Sequence, residues 1–291
     1  MGMPSFQLHP ITITVTLISF IIYPFFCGLG RGKGPRRSWK NRFSSGWNTT
    51  TRHQKLFFSL GMLSLFVANY WPVADIAKKD WLLARMLQQL LITLAAAPLL
   101  LMAIPKGSFV FFTRPRFVDF TLALLARPVP AILLFSAAAI LAMTPALVAF
   151  EISSLVTEQL MQLILFLAAL IVWTPILRLL PGVRQLSTAG RLAYLFVLSL
   201  LPNIPAIVLI FAKRSLYPSY LNSAMGVGAV ADQELTGALA KLVSLAVFWG
   251  VALSVLLKAD RNEEMGLDPD PITWDDVKRE LDRNAKRFPH G

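Results

Sequence analysis

Seven apolar runs of about 20 residues, near 10–29, 57–77, 82–104, 129–150, 158–177, 192–212 and 235–257, constrain this chain more than any motif in it. Each is long enough to cross a hydrocarbon core ~30 Å thick. In hydrocarbon every backbone N–H and C=O must be bonded within the protein, so the runs are expected as helices. The expected fold is an all-α integral membrane protein. It comprises a seven-transmembrane-helix bundle over 1–257 and a tail over 258–291 that holds one short cytoplasmic helix. With 55% of 291 residues hydrophobic and 15% charged, against roughly a quarter charged in soluble domains, most soluble enzymes are excluded. The first run has no Lys or Arg ahead of it and exceeds a usual signal core, so it reads as a retained helix.

The connections alternate in charge. Segments 30–56, 105–128, 178–191 and the tail after 257 hold 22 basic residues, against four on the other side: Lys78, Lys79, Lys213 and Arg214. The positive-inside rule then places the N-terminus outside, the C-terminus in the cytoplasm and the protein in a bacterial cytoplasmic (inner) membrane. Topology thus accounts for the net charge of +12, and no nucleic-acid partner is expected. The run from Arg31 to Arg42 suits anionic lipid or an acidic subunit, or is an ordinary cytoplasmic loop. Phe117, Val118, Phe120, Leu122, Leu124 and Leu125, between Arg116 and Arg127, suit a helix lying in the interface. In the tail, Thr273 can cap a helix that is acidic first and basic last, after a linker from Asn262 to Pro271.

What is missing narrows function. One cysteine, Cys27, excludes an intramolecular disulfide framework and a multi-thiolate metal site. The three histidines, His9, His53 and His290, leave positions 54–289 without imidazole, which excludes a conventionally ligated haem there. No nucleotide-binding loop, HExxH or nucleophile elbow is present, so no enzyme is expected.

An ionisable group inside a span costs about 2.5–3.5 kcal/mol at mid-membrane, so each needs a partner or a task. Those here share one depth. Arg85, Gln88 and Gln89 lie on one face at the outer end of the third span, and Glu158 and Gln162 begin the fifth. Asp232, Gln233 and Glu234 precede the seventh, with Lys241 ~10 Å deeper. Together they form an outer-side polar site, either for binding and assembly or as an ion-pair cluster that fixes packing. Arg85 is expected to pair with Glu158 or Asp232, and Lys241 with Glu234 or Glu158. Pro98, Pro145, Pro175, Pro202 and Pro205 should kink or break their spans. Transporters use such breaks, but no paired repeat accompanies these.

The stretch Arg85-Met-Leu-Gln-Gln, followed by Ala97-Pro98 and closed by Pro105, resembles the third-span signature of the caa3-type CtaG family of cytochrome c oxidase assembly factors. That family opens the stretch with His-Met-x-Gln-His. Tyr217-Pro-Ser-Tyr220, then Asp232-Gln-Glu-Leu-Thr-Gly237, is similar to its Tyr-Pro-x-Tyr loop and Asp-Gln-x-x-x-Gly element, and Trp173-Thr-Pro175 to its Trp-x-Pro. The resemblance covers roughly residues 55–257. It implies biogenesis of a haem-copper oxidase, with membrane lipid and other membrane subunits as partners and copper as the metal handled. Arg85 and Gln89 stand where the family has histidines, and Glu158, Met161 and Gln162 where further histidines are usual. No resident cofactor is therefore expected. Arginine stays protonated and repels a metal, leaving only the thioethers of Met86 and Met161, which can hold Cu(I) weakly. The alternative is a structural accessory subunit or scaffold in a respiratory or other redox membrane complex.

Overall fold

The computed structural model describes residues 50–70, 73–79, 81–105, 124–125, 127–179, 186–220 and 228–264. The expected first span, the basic run after it, most of the interfacial stretch and the tail helix lie outside these residues. Among the described residues all regular structure is helical. In chain order the helices are α1 (Arg52–Asn69), α2 (Val73–Lys79), α3 (Leu82–Leu90), α4 (Ala97–Ala103), α5 (Pro128–Ala142) and α6 (Pro145–Ser153). They continue as α7 (Leu155–Leu177), α8 (Thr188–Leu198), α9 (Ile204–Phe211) and α10 (Ala229–Glu264).

Four units are long and apolar enough to cross a membrane: Leu82–Ala103, Leu155–Leu177, Thr188–Phe211 and Ala229–Asn262. A fifth is added if α5 and α6, bent by 67° at their junction, count as one. The chain is a multi-pass membrane protein. The expected 57–77 span is instead two helices, α1 and α2. Pro72, lacking an N–H and disfavouring helix in the residue before it, explains the interruption. α1 opens on a capping box between Thr51 and Gln54, and its Arg52 to Lys55 turn is too polar for the bilayer core. α10 starts earlier and ends later than the 235–257 run: its 36 residues measure about 54 Å, well beyond the hydrocarbon thickness. Asp232, Gln233 and Glu234 thus lie inside the helix, and Asn262 to Glu264 belongs to it rather than to a linker.

Proline shapes the interior of the spans. Between α3 and α4 the chain makes a π-helical turn, Leu91–Ala96, in which Ala97 N–H reaches back to Ile92 C=O. The same register would join Thr93 C=O to residue 98, which is proline and has no N–H. The indole Nε1–H of Trp173 takes that place, donating to Thr93 C=O at 2.9 Å. At the α5–α6 break before Pro145, Met143 C=O accepts the Tyr217 hydroxyl at 2.6 Å. Pro202 sits inside a 3₁₀ turn, Leu201–Asn203, between α8 and α9, and Pro205 in the first turn of α9. Pro175 stays inside α7, which ends two residues later. Carbonyls at three of these breaks are thus met by side chains, Thr93 by Trp173, Met143 by Tyr217 and Ser199 by Asn203, as a dry interior requires.

Packing follows the small residues. Ala97, Ala103, Ala131 and Ala169 are fully buried, letting backbones approach as they do in membrane bundles. A Cβ on Gly237 would sit 2.6 Å from Ala206 C=O, so α9 and α10 touch there backbone to backbone. Around this contact Met86, Phe135, Trp173, Tyr194 and Phe248 form the main core, with Trp173 stacked on Phe248. Large apolar side chains such as Leu133, Leu163, Leu242 and Leu253 point outward, the arrangement expected where lipid is the solvent.

Candidate functional site

The polar residues gather at the end of the bundle where α3 begins, in two groups. The first is built on the start of α10. α3 has no side-chain cap of its own, since Trp81 precedes it. Instead the Asp232 carboxylate accepts Leu82 N–H at 2.9 Å through Oδ2 and Leu83 N–H at 3.2 Å through Oδ1. A carboxylate from 150 residues away thus serves as N-cap, satisfying orphan donors and meeting the positive end of the helix dipole. Gln233 does similar work on the connection after α9. Its Oε1 accepts Leu216 N–H at 2.8 Å, and its Nε2 donates to Leu209 and Arg214 C=O, both at 3.4 Å. Tyr220 donates its hydroxyl to Ala77 C=O at 2.6 Å, tying α2 to the same corner.

The second group centres on Arg85. Its guanidinium forms a direct ion pair with Glu151 of α6. This corrects the expected partner. Glu158 acts on Arg85 across a longer distance, and Asp232 is committed to the α3 N-terminus. Glu151 was not singled out in the sequence because the fourth apolar run was ended at residue 150, one position short. The signal was present in two features: Pro145, which sets the 67° bend, and a lone acid in the stretch Ala149-Phe-Glu-Ile. The bend turns α6 so that Glu151 is 2% exposed.

A cavity of ≈ 20 Å³ lies beside the pair, lined by Arg85, Gln88 and Gln89 of α3, Glu151 of α6, Met161 and Gln162 of α7, and apolar neighbours. Among the described residues, three buried polar atoms of these side chains have no protein partner: Gln88 Nε2, Glu151 Oε1 and Arg85 Nε. Gln89 also borders a second cavity of ≈ 40 Å³ deeper in the bundle, together with Met86, Thr93, Asn203 and Ser244. The remaining expected members stand apart. Glu234 is exposed and Lys241 half-buried, and among the described residues Lys241 forms no ion pair with Glu234 or Glu158. Seven residues along a helix separate Glu234 and Lys241 by ~10 Å, too far for contact.

These brackets between Asp232 and α3, Gln233 and the α9 connection, Trp173 and Thr93, and Tyr217 and Met143 fall on the residues of the resemblance. A family model, Cytochrome c oxidase caa3 assembly factor (Caa3_CtaG), matches residues 35–261. The chain belongs to the Caa3_CtaG family. No curated protein and no solved structure matches it.

Within this CtaG chain the donor set does not fit copper. Where the resemblance places the family's histidines, a guanidinium stands in an ion pair with a carboxylate, and a fixed cation repels a metal ion. Among the described residues no three His, Cys, Asp or Glu side chains converge on one point. The two thioethers proposed from sequence line different cavities, Met86 the deeper and Met161 the outer one.

Proposed function

We propose that this protein is a membrane-embedded, non-catalytic factor in the biogenesis of a haem-copper oxidase, and that it performs this role without a copper site of its own. Membership of the Caa3_CtaG family over residues 35–261 carries the first statement. The ion pair with Glu151 of Arg85, which stands at one of the histidine positions of the resemblance, carries the second. In this reading the residues shared with the family are retained because they bracket the spans, as Asp232, Gln233 and Gly237 do. Copper is then supplied to the oxidase by another component, and this chain contributes a shaped surface to an assembly intermediate. Its partners are lipid and the membrane subunits of that oxidase.

The topology that goes with this reading has seven crossings, the apolar runs 10–29 and 57–77 supplying the two beyond the five candidates. The N-terminus is outside and the cytoplasmic tail over 258–291 follows the bundle over 1–257. The charge asymmetry of 22 against four supports it. Protease added from the cytoplasmic face should then remove the chain after Glu264, and removal only from the outer face would reverse the orientation.

Deletion of the gene followed by spectroscopic measurement of oxidase haem and metal analysis of the oxidase tests the function. The expected outcome is loss of mature oxidase, with the wild-type factor itself copper-free after purification. A protein that remains stoichiometric with a purified complex would make it an accessory subunit instead. Near-stoichiometric copper lost on Met86→Ala or Met161→Ala would overturn the copper-free reading.

A further inference from the structure

A groove of ≈ 490 Å³ runs between α8 and α10, far larger than the two cavities described above. Its lining is wholly apolar and lies between Leu192 and Phe196 on α8 and between Phe248 and Leu256 on α10. Phe248 is buried, whereas Phe196, Trp249 and Leu256 are exposed, so the groove opens on the lipid side. Only 22% of the apolar window of α10 is buried, against 39% for α7 and for α8 with α9, and 56% for α3 with α4. A Cβ added to Gly250 would meet nothing within 4 Å. The side of α10 at and beside the groove is therefore open among the described residues.

Position along the bundle narrows what fills it. Asp232, near the start of α10, caps the start of α3, so the groove, on the later part of α10, belongs to the opposite half of the bundle. α1 begins at that opposite end too, because it ends just before α2, which Tyr220 ties to the α3 corner. Eight basic residues within 30–56 keep the connection ahead of α1 on one side. On the seven-crossing reading, residue 29 then lies at the groove's end of the bundle. The 22 residues 30–51 can reach ~70 Å, against ~8–10 Å between neighbouring helix axes, so reach excludes no flank. The match to the family begins at residue 35, which makes the run 10–29 an addition to the shared bundle. With the core closed around Trp173 and Phe248, only the periphery is left for it.

We propose that the groove between α8 and α10 is the docking site of this chain's own first apolar run, residues 10–29. Side-chain size along the run matches the groove's depth. Residues 10–19 hold no aromatic ring, whereas 20–29, the half that ends at the groove's level, hold Phe20, Tyr23, Phe25 and Phe26. Lipid tails are as apolar as leucine, so hydrophobicity does not choose the occupant, and the closeness of packing does. Rigid rings of 150–250 Å² each suit a wide apolar groove. The inference rests on the seven-crossing topology proposed above and is independent of the assembly role.

Cys27 is the chain's one cysteine, so one substitution supplies a pair that can be joined. Leu192→Cys on α8 and Leu256→Cys on α10 put the second thiol at the groove's end nearest residue 29. Leu56→Cys puts it on α1, the run's neighbour in sequence. Each full-length variant is treated in native membranes with a short bismaleimide. The expected result is a join within one chain at 192 or 256, in excess of that at 56. A join mainly at 56, or a product of twice the mass, would overturn the proposal by seating the run on α1 or a second copy in the groove. No join at 192 or 256 would overturn it by leaving the groove to lipid. The two groove variants lie on different helices, so one that fails to fold leaves the other to decide. Ser5→Cys in a Cys27→Ser background, labelled with an impermeant maleimide, reads the topology separately. Labelling from outside without a groove join overturns the docking alone, and labelling from the cytoplasmic side overturns the topology with it.

Discussion

Two polar groups lie at one end of the same bundle, and they differ in how completely their atoms are used. In the Asp232 and Gln233 group, both carboxylate oxygens, the amide oxygen and the amide nitrogen are all bonded to backbone of other segments. In the Arg85 group, Glu151, Gln88 and Arg85 each leave a buried atom without a protein partner. Saturated side chains that bind only backbone hold the fold together. Incompletely used ones carry an unmet cost, because an orphaned buried polar atom loses its hydration without a replacement bond. By this contrast the Asp-Gln-x-x-x-Gly element is architectural, and the Arg85 corner is where buried hydrogen-bonding capacity is left unused.

Breaking the Arg85 group should have the largest effect. Glu151→Ala leaves a buried guanidinium without its counter-charge, and such removals cost about 3–5 kcal/mol. The double variant Arg85→Met with Glu151→Leu should recover most of that, since replacing a buried pair by apolar groups is often neutral or stabilising. Chemical unfolding in detergent checks both, and a double variant as unstable as Glu151→Ala would mean that the pair is structural in its own right. Asp232→Ala removes the remote cap of α3 and should cost about 1–2 kcal/mol. Gly237→Ala acts on the same architectural group by forcing α9 away from a Cβ placed 2.6 Å from Ala206 C=O. Both should change the yield of folded protein without altering the chemistry of the Arg85 corner. Trp173→Phe keeps the stacking on Phe248 and strands Thr93 C=O. The expected loss is about 1–3 kcal/mol, read in the same unfolding assay, and it should shrink when Pro98→Ala restores an N–H to the π-helical turn.

How legible these groups were in the sequence follows the same division. Apolar runs declare membrane helices because length and hydropathy are local, and the third, fifth and sixth spans were readable to within a few residues at most ends. The breaks at Pro98, Pro145 and Pro202 were legible for the same reason: a missing N–H is a property of one residue. Partner identity is not local. Asp232 reads as one more outer charge until the fold shows it capping a helix 150 positions away. Glu151 lay just outside a run drawn by hydropathy, and only the bend before α6 turns it inward. The Glu234 and Lys241 pairing was inferred from a shared helix face, which spacing gives, without the axial distance, which spacing also gives and which forbids it.

The smallest effect belongs to the two tyrosines that seal the architectural group from outside the spans, and it is a pH effect. Burial pushes the hydroxyl of Tyr217 up to about 12, with Arg85 opposing. Burial likewise pushes Tyr220 up to about 12, again opposed by Arg85. Both hydroxyls donate to carbonyls, of Met143 and Ala77, and only the neutral form can donate. For an acid whose folded pKa lies above its unfolded value near 10, the unfolded chain releases its proton first as pH rises. The stabilisation is therefore fully present below pH 10, falls as pH rises from 10 towards 12, and is gone above 12. By pH 11 each tyrosine should have lost about 1.4 kcal/mol. Unfolding measured against pH in wild type, Tyr217→Phe and Tyr220→Phe checks this. The Phe variants should start less stable at neutral pH by about 1 kcal/mol and lose less between pH 10 and 12. A Phe variant with an alkaline limb as steep as wild type would show that its hydroxyl is not held neutral by the carbonyl it faces.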